Sequence, residues 1–482
     1  MVNQSLSKNY FLNLVKTLSG VAFPLITFAY TSRILGADGW GKINFAKSIV
    51  TYFSMIAMLG INQYGTREAA KLRDNKQALS KFSQEVILIN LFTTLIAYIL
   101  LAVSIFRINK LHEYETLLWI NSFSIAMSGV GMEWLYQAVE EYGYIAKRAL
   151  IFQIIALLAM FIFVRDRDDV VVYAFISVFA SSGSYVLNFI NARKYIHFKP
   201  IGHYELKRHL APMLWLFAMA VSIEVYTVLD TTMLGFICND ASVGLYNAAT
   251  KVNKIVISLI TALGAVLIPR ISYYVGMKDK EKIYDLVRKG YGYTFLLSIP
   301  AALGLFVLSD DIILLFSGSE FASAGFTMRI VSWIVIVIPF SAMTNQQTLV
   351  PMGKEKWILI STCVGAVVNL ICNAIFIPRY AANGAAIGTV VAETAVAIVC
   401  YINASRFIDI KSIFKGYYQY WIAAFPILGI SLIIKMMKWN FVLEMMTIMG
   451  LSVVSYVGIL YFFKNEYLIS VIQMILNKIH KK

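Results

Sequence analysis

Lys47, Lys251 and Lys254 sit in stretches otherwise too apolar to hold a cation, and Glu224, Asp230 and Glu393 place carboxylates in similar company. A charge at the centre of a membrane helix costs roughly 2.5–3.5 kcal/mol, so it faces a cavity, meets a partner or reaches the interface. Lys251 and Lys254 are three apart and share one helical face. Together with Lys47 they supply point charges suited to a phosphate-bearing anion in a low-dielectric cleft. Snorkelling to the outer interface is the competing use of these lysines, because the helices that carry them start there. Glu224 and Asp230 are the candidates for coupling to an ion, H+ or Na+; six apart, they point in different directions on an ideal helix. Arg329 is a further candidate for anion contact, and it and Glu133 have pairing across helices as the bland alternative. Arg33 and Lys42 belong to "TSRILGADGWGKINFAKS", Thr31 to Ser48, read as a short outer connection in which a solvated role competes with a cavity role. Lys16 is expected to snorkel.

Elements able to hold these groups follow from composition. With 59% hydrophobic and 14% charged residues and a mean hydropathy of +0.69, the chain is more apolar than soluble domains, which run at about 45–50%. Apolar runs long enough to cross about 30 Å of hydrocarbon recur throughout and segment into about fourteen helices. They start near Phe11, Ile43, Phe82, Leu117, Ile145, Val170, Leu210, Val243, Tyr291, Phe326, Trp357, Asn383, Tyr417 and Phe441. The first run lacks a small-residue cleavage site and reads as a retained helix.

The connections alternate in character. One set is basic, including Arg67 to Lys81, Lys147 and Arg148, Arg193 to Arg208, Arg270 to Lys289, Lys354 and Lys356, Arg406 to Lys415, and the tail from Lys464. The positive-inside rule puts this set, and both termini, in the cytoplasm. The net charge of +15 is thereby topology charge facing lipid headgroups, with no call for nucleic acid. Cys238, Cys363, Cys372 and Cys400 show no C-x-x-C spacing and read as packing residues. His197, His203 and His209 fall in or beside one basic loop and read as solvated, so neither a metal site nor a cofactor is expected. No nucleophile–base pair or phosphate-cradling glycine loop argues for an enzyme.

Three pairs of stretches overlay without gaps at offsets of roughly 203 to 212 residues, the signature of an internal repeat. "GWGKINFAKS" matches "SVGLYNAATK" through Gly41/Gly244, Asn44/Asn247 and Ala46/Ala249; "YQAVEEYG" matches "QQTLVPMG" through Gln137/Gln347; "YVLNFINARKY" matches "AIVCYINASRF" through Ile-Asn-Ala. An even number of spans per repeat makes the repeats parallel, with a path between them. The expected lobes are 1–205 and 206–412, six helices each, followed by two extra helices and a tail over 413–482. The expected fold class is an all-α polytopic membrane protein.

The N-terminal motifs "FPLITFAYTSRILGADGWGKINF", "LGINQYGTREAAKLR" and "EWLYQAVEEYGYIAKR" resemble the polysaccharide-transporter branch of the multidrug/oligosaccharidyl-lipid/polysaccharide (MOP) exporter superfamily, the Wzx-type oligosaccharide flippases. The resemblance covers essentially the whole chain. It implies a cavity walled mainly by the first, second, seventh and eighth helices, and a substrate, undecaprenyl-pyrophosphate-linked oligosaccharide, turned from the cytoplasmic to the outer leaflet by alternating access. In that frame Lys47 and Lys251 or Lys254 come from opposite lobes. A bacterial cytoplasmic membrane, with polysaccharide polymerase and glycosyltransferases as working partners, is implied too. A lipid II flippase or a drug/cation antiporter of the same superfamily is the alternative. A membrane polysaccharide polymerase would need a sizeable outer loop, and the longest expected one, Ser309 to Gly325, is short.

Overall fold

In a bilayer every backbone N–H and C=O must be satisfied within the chain, which leaves helices as the spanning structure for apolar runs of this length. The computed structural model describes residues 6–479, with the side chains of 6–22, 222, 223, 225, 263, 265, 474, 475, 478 and 479 outside the described set. Helices and their connections account for the described residues, and no strand occurs among them. Among the described residues, nine helices are long and apolar enough to cross a membrane, or eleven if two bent pairs, Lys207–Val221 with Tyr226–Ile237 and Asp240–Ala262 with Leu267–Gly276, each count as one span. The figure of fourteen stays an expectation.

Two of the helices are broken within their length. Leu6–Met58 has 53 residues, about 80 Å at 1.5 Å per residue and far beyond one crossing. It turns at Gly36, whose φ of 68° and ψ of −179° are open to glycine and costly for other residues. The stretch from Thr31 to Ser48 is therefore not the loop its cations suggested: helix continues on both sides of a one-residue break, and the second segment starts before Ile43. Glu355–Ala404 breaks in the same manner at Ala381.

The chain divides into two compact units, Met1–Gly244 and Leu245–Lys482. In the first, Ile61, Tyr64, Phe82, Val86, Trp134, Leu135 and Met213 build a buried core. A methyl group on Gly65 would meet the Trp134 ring at 2.8 Å, so the glycine sets that approach. The helix ending at Met58 is closed by side chains from Lys76–Arg107: Asn90 Nδ2 donates to the Ala57 carbonyl at 2.9 Å and Thr93 Oγ1 at 2.6 Å. On the other side of that helix Leu91, Phe92, Leu95, Ile99, Val103 and Phe106 are exposed. Polar groups inside and a broad apolar face outside invert the soluble pattern, as lipid requires.

In the second unit Val287, Tyr291, Met343, Leu349, Ile410 and Ile413 are buried together, flanked by Phe340, Phe414 and Tyr417. Tyr291 and Thr344 share a hydroxyl–hydroxyl bond of 2.7 Å. Residues Asn345–Leu349 form a π-helical turn, and Asn345 takes the Cys400 thiol at 3.2 Å.

Candidate functional site

Gly41 and Gly244, paired in the sequence comparison, both meet backbone at close range. Within the first unit, a Cβ built on Gly41 would lie 1.8 Å from the Asp240 carbonyl oxygen, and one on Gly244 would lie 2.0 Å from that of Ala37. Residues 37 and 240 stand at the same offset as 41 and 244, so the two contacts are reciprocal. Tyr114 donates its hydroxyl to Asp240 at this junction, and Lys42 pairs with Asp38 at 2.9 Å. The repeated glutamines also pack: Gln137 accepts from Thr66 at 3.3 Å in one unit, and Gln347 donates to the Thr261 carbonyl at 3.4 Å in the other.

Lys47 lies two turns beyond Gly41. Its side chain is exposed, whereas its helix neighbours Ala46 and Ser48 are buried. No carboxylate among the described residues comes within ion-pair distance of its ammonium. On the same helix Ser48 and Tyr52 are tied to Lys207–Ile237, with Thr232 donating to Ser48 at 3.1 Å and Tyr52 donating to Thr232 at 3.2 Å. Asp230, buried, is close enough to act on Tyr52 electrostatically. The first unit thus gathers Lys47, Ser48, Tyr52, Asp230 and Thr232. Glu224 stands about two turns away, half-buried, with no ion pair among the described residues.

Lys251 and Lys254 occupy Asp240–Ala265, half-buried and exposed respectively, and Lys254 likewise has no carboxylate partner among the described residues. Arg33 is exposed one turn before Gly36, and Glu393 is half-buried on Glu355–Ala404. Arg329 is engaged within its own unit: its guanidinium pairs with Asp310 and its Nε donates to Ser309 at 2.9 Å. Lys16 has its side chain outside the described residues.

Three charged groups sit where the sequence reading did not put them. Arg148, read as part of a basic connection, is 5% exposed inside Tyr142–Phe163. Its guanidinium lies 5.2 Å from the Tyr185 ring centroid and donates to the Ser184 carbonyl at 3.3 Å. Tyr185 in turn donates to Glu133 at 3.1 Å. His209, read as solvated, is 2% exposed. Its Nδ1 meets the Tyr64 hydroxyl at 2.7 Å and its Nε2 meets Glu85 at 2.8 Å. Glu85, missed altogether, is fully buried, pairs with Arg208 at 2.7 Å and accepts the Glu205 backbone N–H at 2.8 Å. One signal existed: Glu85 is a lone acid at the mouth of the apolar run from Phe82. No group of His, Cys, Asp and Glu able to hold a metal ion occurs among the described residues.

Comparison with known proteins accords with this arrangement. Residues 6–275 match the family described as polysaccharide biosynthesis protein, and residues 216–375 match the MatE family. A protein of Shigella dysenteriae named "Putative O-antigen transporter" is 24% identical over 403 residues, spanning 82% of this chain and 98% of that protein. The structure of the lipid II flippase MurJ in an inward closed conformation superimposes with a TM-score of 0.74 at 16% identity, covering 95% of this chain and 99% of that one. An inward-facing multidrug-resistance MATE transporter of the MOP superfamily gives 0.62 at 15% identity, covering 82% and 95%. At these identities the two structures speak for the fold, while the first family match spans more than half the sequence. The chain therefore belongs to the polysaccharide biosynthesis protein family, on the helical scaffold shared by MurJ and the MATE transporters of the MOP superfamily.

Proposed function

We propose that this multi-pass membrane protein is a flippase that carries undecaprenyl-pyrophosphate-linked oligosaccharide from the cytoplasmic to the outer leaflet of a bacterial inner membrane. The observation that carries the reading is chemical. Lys47 and Lys254 are helix-borne ammoniums with no carboxylate partner among the described residues, in a chain of this family. A cation without a carboxylate partner on an otherwise apolar helix suits an anion that comes and goes. Lys251 joins them as a third contact. Arg33 and Arg329 are assigned weaker roles, the first on an exposed turn and the second already held by Asp310.

The sequence of events follows from the charges. A pyrophosphate is drawn to the lysines by charge-assisted contacts, the sugar travels in water, and the polyprenyl tail stays in lipid. Moving the anion out of a negative-inside cell is favoured by about 2.3 kcal/mol per charge per 100 mV. Asp230, beside the Tyr52–Thr232–Ser48 chain, is the group we assign to H+ or Na+ coupling, with Glu224 as its neighbour. No bond is made or broken in this scheme, so the protein acts as a transporter; polymerase and glycosyltransferases work upstream and downstream of it. Both termini lie in the cytoplasm, and fourteen spans in two six-helix lobes plus a terminal pair complete the topology.

The test is translocation in vesicles holding the purified chain and a lipid-linked oligosaccharide, read by the fraction of sugar a membrane-impermeant glycosidase reaches. Protein-dependent exposure of the sugar supports the reading. Equal exposure in protein-free vesicles sinks it. The fold likeness to MurJ gives the second reading, lipid II as cargo; supplying lipid II in the same vesicles and finding it the faster substrate would replace the first.

A further inference from the structure

A cleft of about 320 Å³ opens on the second unit, lined by Pro269, Arg270, Tyr273, Tyr274 and Leu286. It belongs to the helical hairpin of Leu267–Gly276 and Lys280–Val307, on the helix that follows the one carrying Lys251 and Lys254. Arg270 is exposed and has no carboxylate within ion-pair distance among the described residues. Its neighbours in the hairpin are mostly committed: Lys282 pairs with Asp279 at 3.4 Å and Lys289 with Asp285 at 2.7 Å. The Lys282 ammonium also rests 5.1 Å from the Tyr274 ring centroid.

Arg270 shares its helix face with an exposed apolar stripe. Val266, Tyr273 and Met277 are 61%, 61% and 62% exposed, and with Pro269 and Arg270 they follow the i, i+3, i+4, i+7, i+11 spacing of one face. Ile271 faces the core on the opposite side, with Leu267 and Val275 packed beside it. A surface that offers a hydrocarbon track, a phenol at the boundary and one uncommitted guanidinium fits a molecule with an acyl chain and a single negative charge. Tyrosine is the side chain that membrane interfaces favour at that level, and a guanidinium binds phosphate oxygens as a fork.

We propose that this cleft is a binding site for the headgroup of an anionic phospholipid, with Arg270 on the phosphodiester and the acyl chain laid along Val266, Tyr273 and Met277. At about 30 Å³ per water the cleft has room for roughly ten waters, enough for a glycerophosphate headgroup. One guanidinium also matches the monoanion of a phosphodiester better than the higher charge of a pyrophosphate. The inference does not depend on the flippase reading.

The experiment uses the full chain, delipidated in detergent and titrated with short-chain phosphatidylglycerol or phosphatidylcholine, with bound lipid counted by native mass spectrometry. The wild type is expected to prefer phosphatidylglycerol by about tenfold, the size of one charge-assisted contact. Arg270→Gln removes that preference and Arg270→Lys keeps part of it. Tyr273→Ala weakens both lipids. Both cleft residues are exposed, so melting temperatures recorded alongside should stay at the wild-type value. An unchanged preference in Arg270→Gln overturns the proposal. So does competition in which inorganic phosphate displaces the lipid as well as phosphatidylglycerol does, or in which undecaprenyl pyrophosphate binds through Arg270 in its place.

Discussion

Glu85→Ala would leave the His209 ring and the Arg208 guanidinium without their shared carboxylate, in a pocket closed by Tyr64 and Phe82. Breaking a buried pair by removing one partner costs about 3–5 kcal/mol. Arg208 is half exposed and can turn to water, so the expected loss is about 3 kcal/mol, at the lower end of that range. It is read as a fall in thermal midpoint in detergent. Glu85→Gln should cost less, because an amide oxygen can still accept the Glu205 N–H. The lysines behave differently. Lys47→Ala and Lys254→Ala remove no partner, so the amount of folded protein should hold while translocation falls by about tenfold or more each, the scale of a charge-assisted contact. Arg in either place should restore part of the rate, since the charge matters more than its shape. Two alanine variants with wild-type flipping would reduce these lysines to interface anchors.

At the scale of elements, the breaks and close approaches make the sharpest statements. Ala381 holds φ at 47° and ψ at −122° inside Glu355–Ala404, a conformation that strains any residue with a Cβ. Ala381→Gly should therefore raise the melting temperature, with a gain of about 1 kcal/mol. Gly36→Ala runs the argument backwards at φ 68° and should lower it by a similar amount. At the reciprocal junction the neighbour is backbone oxygen, which cannot swing aside as a flexible side chain can. Gly41→Ala and Gly244→Ala should each force the two helices of the junction apart and loosen the Tyr114–Asp240 bond that borders them. Cysteine reactivity at Asp38, higher in both variants than in the parent, is the measurement.

For the whole molecule the testable quantity is topology. With both termini cytoplasmic, a cysteine at Asn75 or Asp279 should be protected from impermeant thiol reagents in intact cells, and one at Asp168 should react. These three positions lie in short connections between helices, so labelling reports sidedness with little disturbance of packing. Reaction at Asp279 from outside would invert the assignment of the basic connections. Transport of a net anion should also respond to voltage: collapsing a negative-inside potential with an ionophore should slow translocation, and a rate indifferent to potential would argue for electroneutral exchange.

Apolar composition, the spacing of its interruptions and the motifs of the first half determined by themselves that this chain is a helical membrane transporter of a known superfamily. Lipid exposure is a property of each residue type, so hydropathy along the chain reads it directly. Sequence pairs Gly41 with Gly244 and Gln137 with Gln347 as an expected repeat, but it could not say that these positions pack against neighbouring residues. What only the tertiary structure decided are the groups whose state depends on a distant partner. Glu85 and His209 are separated by 124 residues and Arg148 and Ser184 by 36, and no local window shows that a cation in a basic stretch is buried against one of them. The turn at Gly36 was hidden for a related reason. Cations beside a glycine look like a loop in sequence, whereas one residue at positive φ suffices to kink a helix once neighbouring helices hold both arms.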